Sequence, residues 1–476
     1  MATRVLRARD AARDALRQGI EQIQQELEVS PDFPPEVERA AEKAASSPRL
    51  PDLDRTDLAL VTIDPAGSMD LDQAMHLERD GDGYVVHYAI ADVMAFLAPG
   101  DPVDVEAHHR GESLYGGSTK IPLHPTALSE NAASLLPGEL RPAFLWTIRL
   151  DPAGEIREAR VERARVRSRQ RLDYAGIQPE VSRAPAGSTL AVLKEVGELR
   201  LAREADRGGI SLPMPEQEVD VVDDHWGLEF RQMLPVESWN AQISLLTGFA
   251  AASIMLRGKV GILRTLPRAP EFVVKRLRRT ARALGLDWPN SMGHPEFIRS
   301  LDPARPADAA MAVACTALLR GAGYAAFDGH VPDETQHAAL VASYSHVTAP
   351  LRRLVDRYGL EVCAALCAGE AVPAWATGGL PELPRLMQAS GQRAHAYEHA
   401  VLDLVEAWTL HPRVGEQFQG VLLETEHDDE RKGTVMVRDP AVEARVTSQS
   451  PLPVGEDVTV TLAEAEPATR TVRFEM

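Results

Sequence analysis

Apolar residues recur at three- and four-residue intervals through VLRARDAARDALRQGIEQIQQEL (5–27), with long polar helix formers between them, and this spacing predicts a helix. SPDFPP (30–35) breaks it, and PEVERAAEKAASS resumes the pattern with Pro35 at the first helical position. SSPRLPDLD (46–54) reads as a linker. From Leu58 the period shortens to two. ALVTID, LDQAMHLE and YVVHYAIADV predict strands, the last two joined through DGDG (80–83) as a hairpin turn. That turn lacks the later ligands and closing Glu of a calcium loop. Residues 184–206 and 236–320 return to helical spacing, and a second helical stretch containing YSHVTAPLRRLVDRYGLEVCAALCAG runs to about Trp408. After HPRVGEQF the strand period reappears in FQGVLLET, GTVMVRD, VEARVTS, EDVTVTLAEAE and TRTVRFEM. Five short strands in roughly 60 residues predict a small closed barrel of OB type.

Composition adds limits. The 476 residues are 44% apolar and 25% charged, ordinary for a globular protein of roughly two to four domains. Three cysteines, Cys315, Cys363 and Cys367, are too few and too odd in number for a disulfide framework. The last two stand four apart in an Ala-rich run and read as small hydrophobes on one helix face. The opening residues are charged throughout, and the longest nearly apolar run, LLTGFAAASIML (245–256), is too short to span a bilayer. The expectation is a reduced, cytoplasmic protein with no membrane partner.

A net charge of −19 argues against a protein that coats nucleic acid, but an enzyme needs positive charge only along its channel. VERARVRSRQRLDY (161–174) supplies some locally, with Arg163, Arg165, Arg167, Arg169 and Arg171 at every second position. On one extended strand all five share a face. A solvated face is one reading; a basic ridge against a phosphate backbone is better supported, because five like charges need a counter-charge.

The densest chemistry lies in TIDPAGSMDLDQA (62–74), where Asp64, Asp70 and Asp72 fall within nine residues and Gln73 follows. Carboxylates this close raise one another's pKa unless a cation sits among them. In extended chain Asp70 and Asp72 point the same way, their Cα atoms about 6.5 Å apart. Clustered hard oxygens without His or Cys suit Mg²⁺ or Mn²⁺ better than zinc. Taken alone, an acidic loop without metal is an equal reading. GGSTK (116–120) is not a phosphate loop, since its Lys follows the Ser-Thr pair.

TIDPAGSMDLDQAM through HYAIADV, RGESLYGGSTKIPLHPTALSENAASLLPGELRP, RVRSRQRLDY, GGISLPMPEQEV and YSHVTAPLRRLVDRY occur in one order and at compatible spacings. Together they resemble the ribonuclease II and R family of RNB-type exoribonucleases, over about residues 55–476. The resemblance implies an α+β fold. An RNB catalytic domain, a mixed sheet surrounded by helices, is expected over 51–410, an OB-fold RNA-binding domain over 411–476, and a small helical module over 1–50. It also implies a hydrolytic, processive 3′→5′ exoribonuclease that degrades single-stranded RNA to nucleoside 5′-monophosphates with Mg²⁺, or Mn²⁺ in its place.

Residue by residue, Asp64, Asp70 and Asp72 match the first three of the family's metal-binding aspartates, and Asp72 the one on which catalysis depends most. Gln73 stands where the family has its fourth, and an amide brings neither charge nor a base. Arg352 matches the arginine that contacts the scissile phosphate, with Arg353 beside it, and Arg167 lies in the matching basic segment. Tyr115 matches an aromatic that clamps a base near the 3′ end, and Tyr174 the tyrosine near the terminal nucleotide. The glutamate opposite that tyrosine falls on Gln242, with Glu237 as the competing placement. Without the family, both tyrosines read as core residues, and Arg352, Arg353 and Arg357 as a salt-bridging helix face.

Typical members carry two cold-shock domains before the catalytic one; here about 50 residues precede Asp52 and read as two helices. Such helices bury little alone and are expected to dock on another domain, the barrel being a candidate, as a helix-turn-helix-like RNA-binding unit or a structural cap. No lysine-rich run follows the barrel, which points to the ribonuclease II type. The expected chain is a monomer that binds single-stranded RNA. Gln73 supports the alternative of a catalytically weak RNA-binding or regulatory relative. A phosphodiesterase acting on DNA is the third reading.

Overall fold

The computed structural model describes residues 10–476 except Ser118, Pro213, Pro215, Asp223 and Asp224. It opens with two helices, α1 (Asp10–Glu26) and α2 (Pro35–Ala45); residues 5–9 of the expected first helix lie outside the described residues. The two helices bury their apolar faces in different cores. Leu16, Ile20 and Ile23 of α1 pack with Leu404 and Val405 and with residues of the C-terminal barrel. Val37 and Ala41 of α2 pack with Leu58, Leu60 and Phe96 of the central domain. They are clamps on two neighbours and share no core of their own.

The central sheet begins with β1 (Leu60–Asp64), β2 (Gln73–Asp80) and β3 (Gly83–Ala91). Gly81, at φ 61°, turns β2 into β3 with Asp80 opposite Gly83, the hairpin that DGDG predicts. Helix α3 (Pro102–Arg110) and the hairpin β4 (Leu114–Gly116) and β5 (Thr119–Ile121) follow. The sheet resumes with β6 (Arg141–Leu150), β7 (Ile156–Val166) and β8 (Ser168–Asp173). Its order is β7-β6-β3-β2-β1-β8. Only β1 and β8 are parallel, and their register sets Asp64 opposite Asp173. Strands β7 and β8 hold opposite edges yet are separated by Arg167 alone, so the sheet curls until its edges meet there.

Helices α4 (Tyr174–Val181) and α5 (Thr189–Arg207) lead to a hairpin, β9 (Glu216–Val222) and β10 (His225–Arg231), and then to α6 (Pro235–Gly258) and β11 (Val260–Thr265). Next come α7 (Glu271–Ala283), α8 (His294–Arg299), α9 (Pro306–Cys315) and β12 (Gly323–Asp328), which pairs with β11. The two-residue strands β13 (Gln336–His337) and β14 (Ala342–Ser343) precede α10 (Leu354–Ala368), α11 (Ala374–Gly379) and α12 (Leu383–Leu410). Helical spacing read over 236–320 conceals β11, because an apolar run as short as VGILRT has no decisive period. Helix α6 is long and apolar enough to cross a membrane by length and composition, and 67% of that stretch is buried inside the protein. Along α10, Cys363 is buried but Cys367 is exposed, a correction to the shared apolar face, because the last turn runs out to Gly369.

The last five strands, β15 (Gln417–Glu426), β16 (Asp429–Arg438), β17 (Ala441–Thr447), β18 (Asp457–Glu466) and β19 (Thr471–Glu475), close a barrel in the order β15-β16-β17-β19-β18. This is the OB-type barrel expected from their spacing. Phe418 and Phe474 meet edge to face inside it, ring centres 5.6 Å apart.

Helix α6 approaches the segment after β14 closely at Gly248, whose carbonyl accepts from the Ser345 amide at 3.2 Å. A Cβ there would run into the Tyr344 ring and lie 2.7 Å from the Ser345 carbonyl oxygen. Gly248→Ala is therefore expected to destabilise the fold by roughly 1–3 kcal/mol, read in a denaturant titration. An unchanged midpoint would show that the contact is loose.

Candidate active site

Strand β1 delivers Asp64 at its end, and the chain loops back to start β2 at Gln73. Between them Leu71 is fully buried, so Asp70 and Asp72 face the other way. Ser134 stitches the loop down: its hydroxyl accepts from the Leu71 amide at 3.0 Å and donates to the Met69 carbonyl at 2.6 Å.

A distant segment then closes over the aspartates. The Leu351 amide donates to Asp72 Oδ1 at 2.7 Å, and Arg352 Nε lies 3.6 Å from Asp72 Oδ2. One residue on, the Gln73 amide nitrogen donates to the Thr348 carbonyl at 2.7 Å, and its oxygen accepts from the buried Tyr88 hydroxyl. Segment 348–353 is rigid for its own reason: Asp356 accepts from the Ala349 amide at 2.8 Å and binds Arg353 with both oxygens.

The charges are far from their solution behaviour. Burial pushes Asp72, 4% exposed, well above the usual carboxylate range, against the pull of Arg352 and the Leu351 amide. Burial and then the charge of Asp70 push Asp64 up to about 7, with Arg352 and Arg171 opposing. Asp64 Oδ2 is buried with no hydrogen-bond partner. Asp70 is instead drawn to Lys120, 2.8 Å away, and the Tyr115 hydroxyl stands 3.5 Å from the same oxygen. Among the described residues no three acidic, His or Cys side chains are gathered tightly enough to hold a metal ion as they stand. The donors nevertheless suit a hard divalent cation: they are carboxylate oxygens, one is orphaned, and burial makes two of them resist ionisation.

The other residues singled out from the sequence divide. Arg352 is 45% exposed, and Tyr115, 42% exposed, stands beside Asp70. Tyr174 opens α4 near Asp64, its hydroxyl accepting from the Asn240 side chain at 2.8 Å. Gln242 does not face that tyrosine. It is two positions beyond Asn240 on α6, hence on another side of the helix, and donates to Glu204 at 2.7 Å. Of the two placements Glu237 is the one whose charge acts on Tyr174, while it also binds Arg231 at 2.7 Å.

Arg353 is likewise corrected: its guanidinium is committed to the buried Asp356 carboxylate and is not free for a phosphate. The five arginines form no single ridge. Arg163 binds Asp92 at 2.7 Å and Glu361, and Arg165 lies 3.4 Å from Asp54, so acidic side chains of the protein itself supply their counter-charge. Arg167 sits half-buried at the β7–β8 junction with its Nε unpaired, and Arg169 and Arg171 donate to the carbonyls of Thr56 and Ser68. Sequence reasoning missed Lys120, Asn240 and the Leu351 amide. The lysine lies inside GGSTK, a string with no sequence signature beyond a failed match to a phosphate loop, and a backbone amide carries no residue signal.

A sequence profile of the RNB domain matches residues 53–364, and one of the RNase II-type exonuclease C-terminal S1 domain matches residues 416–476. The chain belongs to the RNB family. Over 327 residues it is 27% identical to exosome complex exonuclease RRP44 homolog A of Arabidopsis thaliana, a match covering 66% of this chain and 35% of that protein. It is 27% identical over 398 residues to ribonuclease R of Escherichia coli, covering 78% and 48%. The matches thus span only about a third to a half of the length of these curated relatives. Among solved structures, Mycoplasma genitalium RNase R in complex with ribose methylated single-stranded RNA superposes with TM-score 0.85 at 18% identity, over 97% of this chain and 78% of that one. Yeast Ssd1, a pseudonuclease, superposes with TM-score 0.72 at 15% identity, over 90% and 55%. These superpositions establish a shared fold.

Two outcomes follow from the RNB site geometry. Asp64 binds its proton more tightly folded than unfolded, so its contribution to stability falls as pH rises from about 4 to about 7. Asp64→Asn should therefore stabilise the metal-free protein at pH 8 by about 1–3 kcal/mol, with the gain shrinking as the pH falls toward 4. Melting curves across that range check it, and a pH-independent difference would contradict the burial effect. Arg353→Ala should cost about 3–5 kcal/mol, because it leaves Asp356 charged and buried without its partner. A variant that melts like the wild type but binds RNA weakly would return Arg353 to the RNA surface.

Proposed function

We propose that this RNB chain is a hydrolytic exoribonuclease that takes single-stranded RNA 3′ end first and releases nucleoside 5′-monophosphates processively. The observation that carries the reading is the pairing of Asp72 with the Leu351 amide and the Arg352 guanidinium across about 280 residues of sequence. Structural need does not explain an arginine left 45% exposed beside a carboxylate whose burial resists its charge. A phosphodiester brought to that point explains both.

In this reading Arg352 forks two phosphate oxygens and stabilises the charge that grows on them during cleavage. The Leu351 amide holds Asp72 by one oxygen and leaves the other turned toward Arg352. Asp64, Asp70 and Asp72 would hold Mg²⁺, or Mn²⁺ in its place, which supplies charge neutralisation and a water of lowered pKa. The exposed ring of Tyr115 offers a face on which a base stacks. Tyr174 and Asn240, hydrogen-bonded to each other near Asp64, are the groups placed to meet a terminal ribose, where the 2′-hydroxyl separates RNA from DNA.

One observation favours a second reading. Gln73 has both ends of its amide engaged, by Thr348 and Tyr88, and adds no charge. A site short of one carboxylate suits an RNA-binding relative without turnover. An end-labelled homopolymer RNA and its DNA counterpart, each with Mg²⁺ or EDTA, separate the readings: a ladder ending in mononucleotides from RNA with Mg²⁺ alone supports the enzyme, and intact RNA under every divalent ion supports the binder.

Asp72→Asn should abolish cleavage while RNA binding stays intact or tightens, because a charge that repels phosphate is removed; a gel shift beside the cleavage assay checks both halves. Retained turnover would remove Asp72 from the chemistry. Arg352→Ala should lower turnover about 10²–10³-fold with little change in affinity, and Arg352→Lys should remain poor because a point charge cannot replace the fork. Near-normal turnover in either would refute the assignment.

A further inference from the structure

The backbone that presents Arg352 has all its polar groups engaged. Of the two peptide groups flanking that residue, both N–H groups, of Arg352 and Arg353, donate to the Ala349 carbonyl, at 3.3 and 2.9 Å. Both carbonyls bond instead to the segment that carries the β4–β5 hairpin. The Ser113 amide donates to the Arg352 carbonyl at 2.9 Å, and His124 Nδ1 lies 3.0 Å from the Leu351 carbonyl. Three of these four bonds run from backbone to backbone. The fourth belongs to the His124 ring, so it is the one that a change of side chain can delete.

That ring is costly to keep. His124 is fully buried, and because a carbonyl only accepts, Nδ1 must carry the proton. Nε2 is then a bare acceptor, buried with no hydrogen-bond partner among the described residues. Burial, and next the charge of Arg357, push the imidazole down to about 3, so it stays neutral at physiological pH. An unpaired buried nitrogen destabilises a fold, and an apolar side chain of similar size would avoid that penalty. The backbone around the ring is pinned as well. The Leu123 amide donates to Ser113 Oγ at 2.9 Å, the Ser129 hydroxyl donates to the His124 carbonyl at 3.1 Å, and Pro125 restricts the residue before it.

We infer that His124 is a positioning residue, whose Nδ1–H clamps the peptide before Arg352 and so sets where that guanidinium meets the scissile phosphate. The inference deepens the exoribonuclease reading above and rests on it. Two constraints meet at Leu351, its amide on Asp72 and its carbonyl on His124, so the ring fixes the carboxylate and the arginine relative to each other. Arg352 is 45% exposed and has little packing to hold its direction, and a side chain that long magnifies any turn of the peptide bearing it. The clamp also ties the arginine to Tyr115, since the Gly111 carbonyl, four residues before that ring, accepts from the Leu354 amide at 2.9 Å.

The test sets donor against volume in the full-length protein. His124→Leu keeps most of the volume and loses the donor; His124→Asn leaves a hole but places its amide nitrogen where Nδ1 was. On homopolymer RNA with Mg²⁺, His124→Leu should turn over about 10–100-fold more slowly at unchanged KM and unchanged melting temperature. Hydrogen–deuterium exchange should show residues 351–354 losing protection in that variant alone. His124→Asn should recover most of the rate and the protection despite packing worse. In an Arg352→Ala background, His124→Leu should cost no further rate, because the histidine acts through the arginine. A merely structural histidine predicts the reverse order, with Leu active and Asn impaired in step with its melting temperature, and that order overturns the inference. So does an additive loss in the Arg352→Ala background. Should His124→Leu fail to fold, His124→Gln takes its place: its amide lies where Nε2 was, so it should be slow, and a wild-type rate refutes the clamp. A protein that cleaves nothing, yet loses protection with Leu and regains it with Asn, sustains the clamp and sinks the enzymatic reading. A cleaving protein indifferent to His124→Leu does the opposite.

Discussion

Everything at the site depends on two hydrogen bonds that join the start of β2 to a loop some 280 residues later. Leu351 donates to Asp72, and Gln73 donates to Thr348. A loop closure over that distance is entropically costly and needs local stiffness at both ends to persist. The sheet provides one end, with Leu71 locked in the core and Ser134 bracing the turn. The buried Asp356 provides the other, capping the loop through the Ala349 amide and Arg353. Arg352 then has no choice of direction: its two neighbours, Leu351 and Arg353, are both tied inward, and its own side chain is left facing Asp72.

That logic explains what the sequence made legible. The aspartate run, the arginine segment and the tyrosines are carried by local strings, and strings survive reading without a structure. Alternation of Asp70, Leu71 and Asp72 foretold which carboxylates share a face, and five strands spaced a few residues apart foretold the barrel. What stayed hidden was commitment. Arg352 and Arg353 are adjacent and chemically alike, yet one is exposed and the other is spent on a buried carboxylate three residues away. Gln242 and Glu237 fit the same helix, and only the helix's orientation distinguishes them.

The arginine series teaches the same lesson about charge. Arg163 and Arg165 look unpaired in the sequence because their partners come from elsewhere in the chain: Asp54 from the linker, Asp92 from just after β3, Glu361 from α10. With a net charge of −19, an arginine left as exposed as Arg352 is informative because Arg163 and Arg165 are neutralised by acidic neighbours.

The split allegiance of α1 and α2 sets a mechanical limit. One helix belongs to the core of the barrel and α12, the other to the central domain, and the chain between them is a leash. Arg110 grips that leash, donating to the carbonyls of Ser30 and Asp32 and lying 3.6 Å from the centre of the Phe33 ring. From Glu26 to Ser30 only four peptide steps remain as slack, about 13 Å at full stretch. Any swing of the barrel away from the central domain is bounded by that stretch unless Arg110 lets go of the leash or α1 leaves its seat.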